Sequence, residues 1–136
     1  MKIKIPKKEE YFNHLKNIIN NKDNKFLVAI IDNEVGGYCY ASVSSRKRRQ
    51  HSRSIAMGLS KKFRGKGIGK KLLTEIIEWA KSNQSIEKLN LGVLSVNKVA
   101  INMYRSLGFE DEGILEKEYK MEYGTYVDDI YMRLFV

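Results

Sequence analysis

The residues best placed to do chemistry lie in the segment KKFRGKGIGKK, residues 61–71. The segment contains six Lys or Arg, three Gly and no acid, and it leads into the apolar repeat of a helix. Cations are unfavourable at the start of a helix, because the unpaired N–H groups there already carry partial positive charge. We therefore expect an anion at this helix start. Gly65, Gly67 and Gly69 would let its oxygens approach the backbone without a Cβ atom in the way.

Two common phosphate-binding motifs do not match this segment. A P-loop requires Gly-Lys-Ser/Thr, but Gly69 and Lys70 are followed by Lys71. The dinucleotide fingerprint requires Gly at its sixth position, and counting from Gly65 that position is Lys70. Neither class of nucleotide-binding protein is indicated.

The elements that must position this segment follow from the spacing of apolar residues. A helix is expected over residues 6–20, with Pro6 as its first residue. The runs FLVAII, VGGYCYASV and SIAMGLS then predict three strands, separated by turns at 32–34 and 46–53. We expect these strands to form an antiparallel meander.

The second half of the chain predicts a strand, helix, strand unit followed by a hairpin. An apolar stripe that begins at Ile68 indicates a helix, and LNLGVLS after it predicts a buried strand parallel to SIAMGLS. A further helix is expected between Asn97 as its N-cap and Gly108 as its end. Strands at 109–120 and 126–135 complete the chain. The pattern as a whole predicts an α/β fold with a mixed sheet.

Composition limits the class of protein. The 136 residues fit a single domain, residues 1–136, and a hydrophobic content of 43% allows an ordered core. Cys39 has no partner for a disulfide, and His14 and His51 have no neighbours at metal-ligand spacing, so we expect no metal. No apolar run reaches the ~18 residues of a membrane span, and we expect a soluble cytoplasmic protein. The net charge of +9 favours an anionic partner.

Two motifs together resemble one enzyme family. Arg64-x-x-Gly67-x-Gly69, at the start of a helix that follows a strand, resembles the pyrophosphate loop of the GNAT acetyltransferase superfamily. The second motif of that family is present at its usual spacing, with Asn97 and, seven residues later, Tyr104 within NKVAINMYRSLGF. The resemblance runs from about Phe26 to the C-terminus, and the closing GTYVDDIYM is similar to the ribosomal-protein and small-amine acetyltransferase branch.

The resemblance implies an acetyl-CoA-dependent N-acetyltransferase that transfers the acetyl group directly to an amine in a ternary complex. It also implies a central, mostly antiparallel sheet with a splayed parallel pair and flanking helices. The front part is shorter than is usual in the family, with about one helix in place of a strand and two helices. The acceptor pocket would then be open or completed by a second subunit, and edge-strand or C-terminal pairing would give a homodimer.

The resemblance also implies roles for individual residues. Asn97 would hydrogen-bond the cofactor arm, and Tyr104 would donate a proton to the departing thiolate. A thiol with a pKa of ~8.5 and a tyrosine with ~10 make that transfer nearly balanced. The cofactor-binding residues would be the backbone of Met57, Gly58 and Leu59 along the pantetheine arm and thioester, and Arg64, Gly65, Lys66, Gly67, Ile68, Gly69 and Lys70 around the pyrophosphate.

The sequence departs from the family at the positions of the usual glutamate base. Arg53 and Gly92 stand there, and neither can be a carboxylate base. An α-amine with a pKa of ~7.7 to 8.0 is far more often neutral at pH 7 than a lysine-like amine, so the departure favours acceptors of low pKa. Otherwise Glu116, Glu118 or Asp128 would act as the base, directly or through a water.

The two strongly charged segments suggest partners. Eight of the 16 acids lie between residues 110 and 129, which favours a cationic or amine acceptor. The residues proposed to contact it are Glu116, Glu118 and Asp128, with Asp129 as a further orienting residue. The basic turn RKRRQHSR, residues 46–53, is typical of a solvated loop, and nothing around it resembles an RNA-binding signature. The alternative function is a basic RNA- or ribosome-binding module with a vestigial cofactor loop, and its binding would depend on salt.

Overall fold

The computed structural model describes residues 9–136 of the chain. Within these residues three helices, α1 to α3, span Glu9–Asn20, Ile68–Ser82 and Lys98–Ser106. Six strands, β1 to β6, span Lys25–Ile31, Glu34–Val43, Ser52–Leu59, Lys88–Leu94, Glu110–Lys120 and Tyr126–Phe135. Short 3-10 turns, Lys47–Arg49 and Lys61–Phe63, precede β3 and α2.

The six strands form one sheet in the order β1-β2-β3-β4-β6-β5. Each neighbouring pair is antiparallel except β3 and β4, which are parallel and are connected through α2. Parallel neighbours need such a crossover, whereas β1 and β2 are joined by a tight turn. Asp32 and Asn33 form that turn with φ of 50° and 64°, as a two-residue hairpin of this kind requires. The predicted α/β fold with a mixed, mostly antiparallel sheet is confirmed.

The core lies between one face of the sheet and the helices α2 and α3. The stripe predicted on α2 is buried, with Leu73, Ile76 and Ala80 completely covered, and α3 adds Ile101 and Tyr104. The strands contribute alternate residues, namely Cys39, Ala41, Ile55, Leu89, Leu91, Val93, Ile130 and Met132. Burial of these apolar side chains fixes both helices against the ends of β3 and β4.

The opposite face of the sheet, here called the free face, carries the intervening side chains of the strands. Phe26, Tyr38 and Tyr40 stack there with ring centroids 5.4 to 6.2 Å apart. Further along the sheet, the Ser54 hydroxyl donates to Asn90 Oδ1 at 3.1 Å. The free face therefore combines an aromatic surface with polar groups over β3 and β4.

Most element bounds agree with the sequence prediction to within two residues. β3 begins at Ser52 rather than at Ser54, because residues 52–54 pair with β4. Gly108 has φ of 98° directly after α3 and ends it as predicted. The predicted helix start at Pro6 lies outside the described residues. Over residues 9–136 no helix is both long and apolar enough to cross a bilayer.

Candidate active site

The two parallel strands separate after a short paired region. Pairing between β3 and β4 begins at Ser52 and ends at Ser54, opposite Asn90. On its other edge β3 continues to pair with β2 as far as Leu59. Backbone N–H and C=O groups of β3 that point toward β4 beyond Ser54 therefore have no ladder partner. The opening between the strands offers these groups to an extended ligand, and it is the splayed parallel pair that the family resemblance implied.

Met57, Gly58 and Leu59 form the end of β3 along this opening, and all three are half-buried. Met57 and Leu59 pack against the core. Gly58 faces the free side beneath Tyr38, whose Cε1 would lie 2.6 Å from a Cβ at this position. Glycine at residue 58 therefore lets the ring of Tyr38 lie directly on the strand, and the main chain of 57–59 is the part that a ligand in the opening can reach.

α2 begins with two glycines in the left-handed conformation. Gly65 has φ of 76°, and Gly67, the N-cap residue, has φ of 75°. A Cβ at either position would meet no atom within 4 Å, so the backbone conformation and not crowding requires glycine here. Neither a capping side chain nor an acid serves the N–H groups of the first turn, which starts at Ile68. Those N–H groups are free to bind an anion.

Gly69 brings the start of α2 against the end of β3. A Cβ at this buried residue would lie 3.1 Å from Leu59 Cδ1, 3.3 Å from Met57 Sδ and 3.6 Å from Met103 Sδ. A side chain at residue 69 would have to push Leu59 and Met57 aside, so glycine lets the helix pack directly on them. The start of α2, with its free N–H groups, and the opening between β3 and β4 are therefore adjacent.

Basic side chains surround the start of α2. Lys66, Lys70 and Lys71 line a surface cavity of about 360 Å³, and none of them forms an ion pair with another residue of the described range. Arg64 folds back along the loop, and its Nε donates to the carbonyl oxygen of Leu59 at 3.3 Å. The charge of the three lysines is therefore available to phosphate groups.

Asn97 caps the start of α3. Its Oδ1 accepts the N–H of Ala100 at 3.2 Å, so the N-cap prediction is confirmed. Its side chain is exposed, and within residues 9–136 its Nδ2 group donates to no other residue. Nδ2 therefore remains available as a donor to a ligand in front of α3.

Tyr104 lies in the core on α3 with its ring 6.0 Å from that of Phe109. The side chain is 9% exposed, and its hydroxyl has no hydrogen-bond partner within the described range. No fully buried polar side-chain atom in that range lacks a partner, so the hydroxyl keeps contact with solvent. Burial raises the pKa of Tyr104 above its ordinary value of 10.0, and negative charge on Cys39 would raise it further. Tyr104 is therefore a protonated donor at neutral pH.

Cys39 lies close to Tyr104 but is not a candidate nucleophile. Its side chain is completely buried on β2, and burial raises the pKa of its thiol from 9.0 to about 12. The thiolate is the reactive form of cysteine, and at neutral pH Cys39 is a neutral thiol. Cys39 is therefore a small residue of the apolar core.

Arg53, at the first of the two expected base positions, has a structural role. It is 2% exposed, and its guanidinium donates to the carbonyl oxygens of Asp23, Gln50 and Ser52 at 2.8 to 3.1 Å. Burial lowers the pKa of Arg53, and the charge of Asp23 opposes that shift. The side chain ties β3 to the segment before β1.

The second position, Gly92, is covered by a carboxylate from another strand. A Cβ at Gly92 would lie 3.0 Å from Oδ1 and 3.3 Å from Oδ2 of Asp129, on β6. Asp129 is 8% exposed. The sequence indicated Asp129 only as a residue that orients the acceptor, because the register between β4 and β6 cannot be read from one strand. The alternation along β6 is the one sequence signal that assigns Asp129 to the free face.

The three acids proposed to contact the acceptor lie together in an irregular part of β5 and β6. Lys117, with φ of 52°, interrupts the β5 ladder, and its N–H is accepted by the carboxylate of Asp128 at 2.8 Å. Glu116 and Glu118 flank Lys117 and are exposed. The carboxylate of Asp128 is thus engaged in holding the bulge, whereas both glutamates face solvent.

A polar cavity of about 650 Å³ lies on the free face. Its lining includes His51, Ser54, Lys88, Asn90, Glu112 and Tyr131. Cε1 of Tyr131 would lie 3.3 Å from a Cβ at Gly92, so the cavity borders the opening between the strands. The sequence did not single out this cavity, whose lining is brought together by four different strands and the basic turn. No three His, Cys, Asp or Glu side chains of residues 9–136 are grouped to hold a metal ion.

This architecture defines the class of the protein. A mixed sheet that opens between two parallel strands, with a glycine-rich, basic helix start at the opening, is the arrangement that the GNAT resemblance implied. The acetyltransferase (GNAT) family model matches residues 3–109. The chain belongs to the acetyltransferase (GNAT) family.

Individual relatives agree with this membership. The chain is similar to an L-amino acid N-acetyltransferase of Escherichia coli, with 34% identity over 108 residues that cover 79% of this chain and 66% of the relative. Its fold is similar to that of a ribosomal-protein-alanine N-acetyltransferase from Brucella melitensis, with a TM-score of 0.82, 29% identity and coverage of 94% of this chain and 78% of the other.

A phosphinothricin acetyltransferase from Sinorhizobium meliloti, solved in complex with acetyl-CoA, gives a TM-score of 0.87 and 26% identity, covering 96% of this chain and 70% of the other. The chain spans from 32% to 66% of the length of three curated relatives that it matches.

Proposed function

We propose that the protein is an N-acetyltransferase that moves an acetyl group from acetyl-CoA directly to an amine. The observation that carries this proposal is the contact made by Gly69. This residue joins the anion-binding start of α2 to Met57 and Leu59 at the strand opening and to Met103, the neighbour of Tyr104 on α3. The start of α2, the opening between β3 and β4, and the helix that carries Tyr104 are thereby next to one another.

The residues fit a coenzyme A thioester. The left-handed Gly65 and Gly67 and the free N–H groups of α2 suit a diphosphate, and Lys66 and Lys70 neutralise its charge. The pantetheine arm is an extended chain with two amides, and it needs backbone partners of the kind that β3 offers beyond Ser54. The free Nδ2 of Asn97 would supply a further donor to this arm.

Bound acetyl-CoA would supply an acetyl group activated as a thioester. Backbone N–H groups of residues 57–59 would donate to the thioester oxygen and stabilise negative charge on it. As the amine nitrogen forms its bond to the acetyl carbon, the carbon–sulfur bond breaks and its electron pair leaves with sulfur. The Tyr104 hydroxyl would then donate its proton to that sulfur.

The acidity of Tyr104 is compatible with this role. The ordinary pKa values of tyrosine and a thiol, ~10 and ~8.5, differ by ~2 kcal/mol in free energy of proton transfer. Burial raises the pKa of Tyr104, but it also raises that of a thiol in the same pocket, so the difference is largely retained. A covalent enzyme intermediate on the single cysteine is not supported, because Cys39 is buried and neutral.

An α-amino group is the acceptor that we propose. The polar cavity on the free face leads to the opening between the strands from the side opposite α2, and an amine could enter there. The relatives from Escherichia coli and Brucella melitensis are named for acetylation of L-amino acids and of a ribosomal-protein alanine. We also propose that the reaction takes place in the cytoplasm.

The first test is a thermal melt of the full chain with excess acetyl-CoA, with ATP and RNA as polyanion controls. At a hundred times its Kd, acetyl-CoA should add ~2.7 kcal/mol and raise Tm by several degrees. Release of free thiol is then followed with L-amino acids, an alanyl peptide and a lysine side-chain analogue. Thiol release with an α-amine supports the proposal. Equal Tm shifts with all polyanions would favour the RNA- or ribosome-binding alternative.

A further inference from the structure

We infer that Asp129 is the base that accepts the proton of the attacking amine. The inference rests on the proposed function and adds a catalytic residue to it. Asp129 lies on β6, opposite Leu94 in the β4 ladder and Leu115 in the β5 ladder. Its carboxylate lies over the main chain of Gly92, on the free face of the sheet.

The location of Gly92 makes this carboxylate relevant to the reaction. Asn90 is the last residue of β4 that pairs with β3, and Gly92 is the next residue on the same face. Gly92 itself is exposed. The carboxylate of Asp129 therefore lies beside the mouth of the opening, where an amine coming from the polar cavity would approach.

The carboxylate of Asp129 has no structural use that accounts for its burial. Within residues 9–136 it accepts no hydrogen bond and forms no ion pair. Its neighbour Asp128, in contrast, accepts the N–H of Lys117. Because no fully buried polar atom in this range is unsatisfied, the carboxylate reaches solvent, and so it can reach an amine.

Asp129 and Tyr104 belong to opposite faces of the sheet. Tyr104 belongs to the core face with α2 and α3, and Asp129 belongs to the free face with Tyr131. An amine that attacks from the free face would lose its proton to Asp129 as the nitrogen–carbon bond forms. The sulfur on the other side would take a proton from Tyr104 as the carbon–sulfur bond breaks. Asp129 gains one proton and Tyr104 loses one, so the reaction as a whole neither consumes nor releases a proton.

The test compares Asp129→Asn with the parent chain and with Glu122→Gln, which removes the same charge at an exposed site of the β5–β6 turn. The assay uses acetyl-CoA and the best amine of the acceptor panel. We expect Asp129→Asn to keep the acetyl-CoA-induced Tm shift and to lose at least ~100-fold in kcat, with little change in the KM for acetyl-CoA. Glu122→Gln should match the parent.

A second variant relocates the base. Gly92→Glu combined with Asp129→Ala removes the carboxylate that would collide with the new side chain and returns an acid to the same space. We expect this double variant to recover at least ~10-fold in kcat over Asp129→Ala alone. If Asp129 only supported the fold, an acid at residue 92 on another strand would not restore kcat.

The outcomes separate this inference from the function on which it rests. Suppose that the parent chain binds acetyl-CoA and acetylates amines. If Asp129→Asn then keeps a kcat within threefold of the parent, the role of Asp129 is overturned and the proposed function is not. Loss of the cooperative melt in Asp129→Asn, without recovery in the relocated variant, assigns Asp129 to the fold and also overturns the inference. A parent chain without turnover on any amine overturns the proposed function, and the role of Asp129 with it.

Discussion

Replacing Tyr104 by Phe should separate catalysis from stability. The ring packs against Phe109 and is 9% exposed, whereas the hydroxyl has no hydrogen-bond partner within the described part of the chain. Removing the hydroxyl therefore breaks no internal hydrogen bond, each of which would be worth ~1 kcal/mol. We expect the free energy of unfolding to change by less than that amount, and the acetyl-CoA-induced Tm shift to remain.

Turnover should respond very differently. Loss of a general acid typically costs a factor of ~10² to 10⁴, which corresponds to ~3 to 5 kcal/mol of transition-state free energy. The assay is thiol release at saturating acetyl-CoA and amine, with urea unfolding on the same preparations. Tyr123→Phe, at a site that is 94% exposed, is the matched control and should match the parent. A Tyr104→Phe variant within threefold of the parent kcat would refute the assignment of Tyr104 as the acid.

Three further predictions concern the loop, the cofactor site and the core. Gly67→Ala should lower the free energy of unfolding by ~1 kcal/mol in urea titrations, because φ of 75° strains any residue with a Cβ even in open space; an unchanged value would contradict the left-handed assignment. Lys70→Gln should weaken acetyl-CoA binding several-fold at low salt and less at high salt, with kcat retained, because its charge contributes through screened attraction to phosphate. A defect in kcat alone would argue against that role. The parent chain should lose ~1.4 kcal/mol of stability between pH 8 and pH 10 through Cys39, since its thiol ionises near 9.0 when unfolded and near 12 when folded. Cys39→Ala should lose correspondingly less over that interval, and an equal loss would show that other groups cause it.

The elements could be predicted because their signals are local. The apolar stripe from Ile68 and the capping pattern of Asn97 and Gly108 each depend on a few neighbouring residues. The glycine-rich loop was found in the same way, because cations and glycines at a helix start conflict with the helix dipole unless an anion binds. Local rules of this kind need no knowledge of the sheet order.

Features that depend on contacts between distant strands could not be predicted. The sequence suggested that Gly69 gives an anion access, and it did not indicate that a side chain at residue 69 would also crowd Met57 and Leu59, on which α2 packs. The bulge at Lys117 and its bond to Asp128 likewise depend on how β5 and β6 are aligned. The register between two strands is fixed by the packing of their buried faces, and it cannot be read from the sequence of one strand alone.

The same limit applies to Gly92, at one of the two positions of the usual glutamate base. Position 92 holds a glycine, and a side chain there would crowd the carboxylate of Asp129 and the ring of Tyr131, which would have to shift. Residues 92 and 129 lie on strands that differ in how many hydrogen-bonded neighbours they have. β4 has an unpaired edge beyond Asn90, whereas β6 pairs with β4 on one side and β5 on the other. A carboxylate on β6 is therefore held by a strand with two hydrogen-bonded neighbours, and its position should change little when a ligand enters the opening.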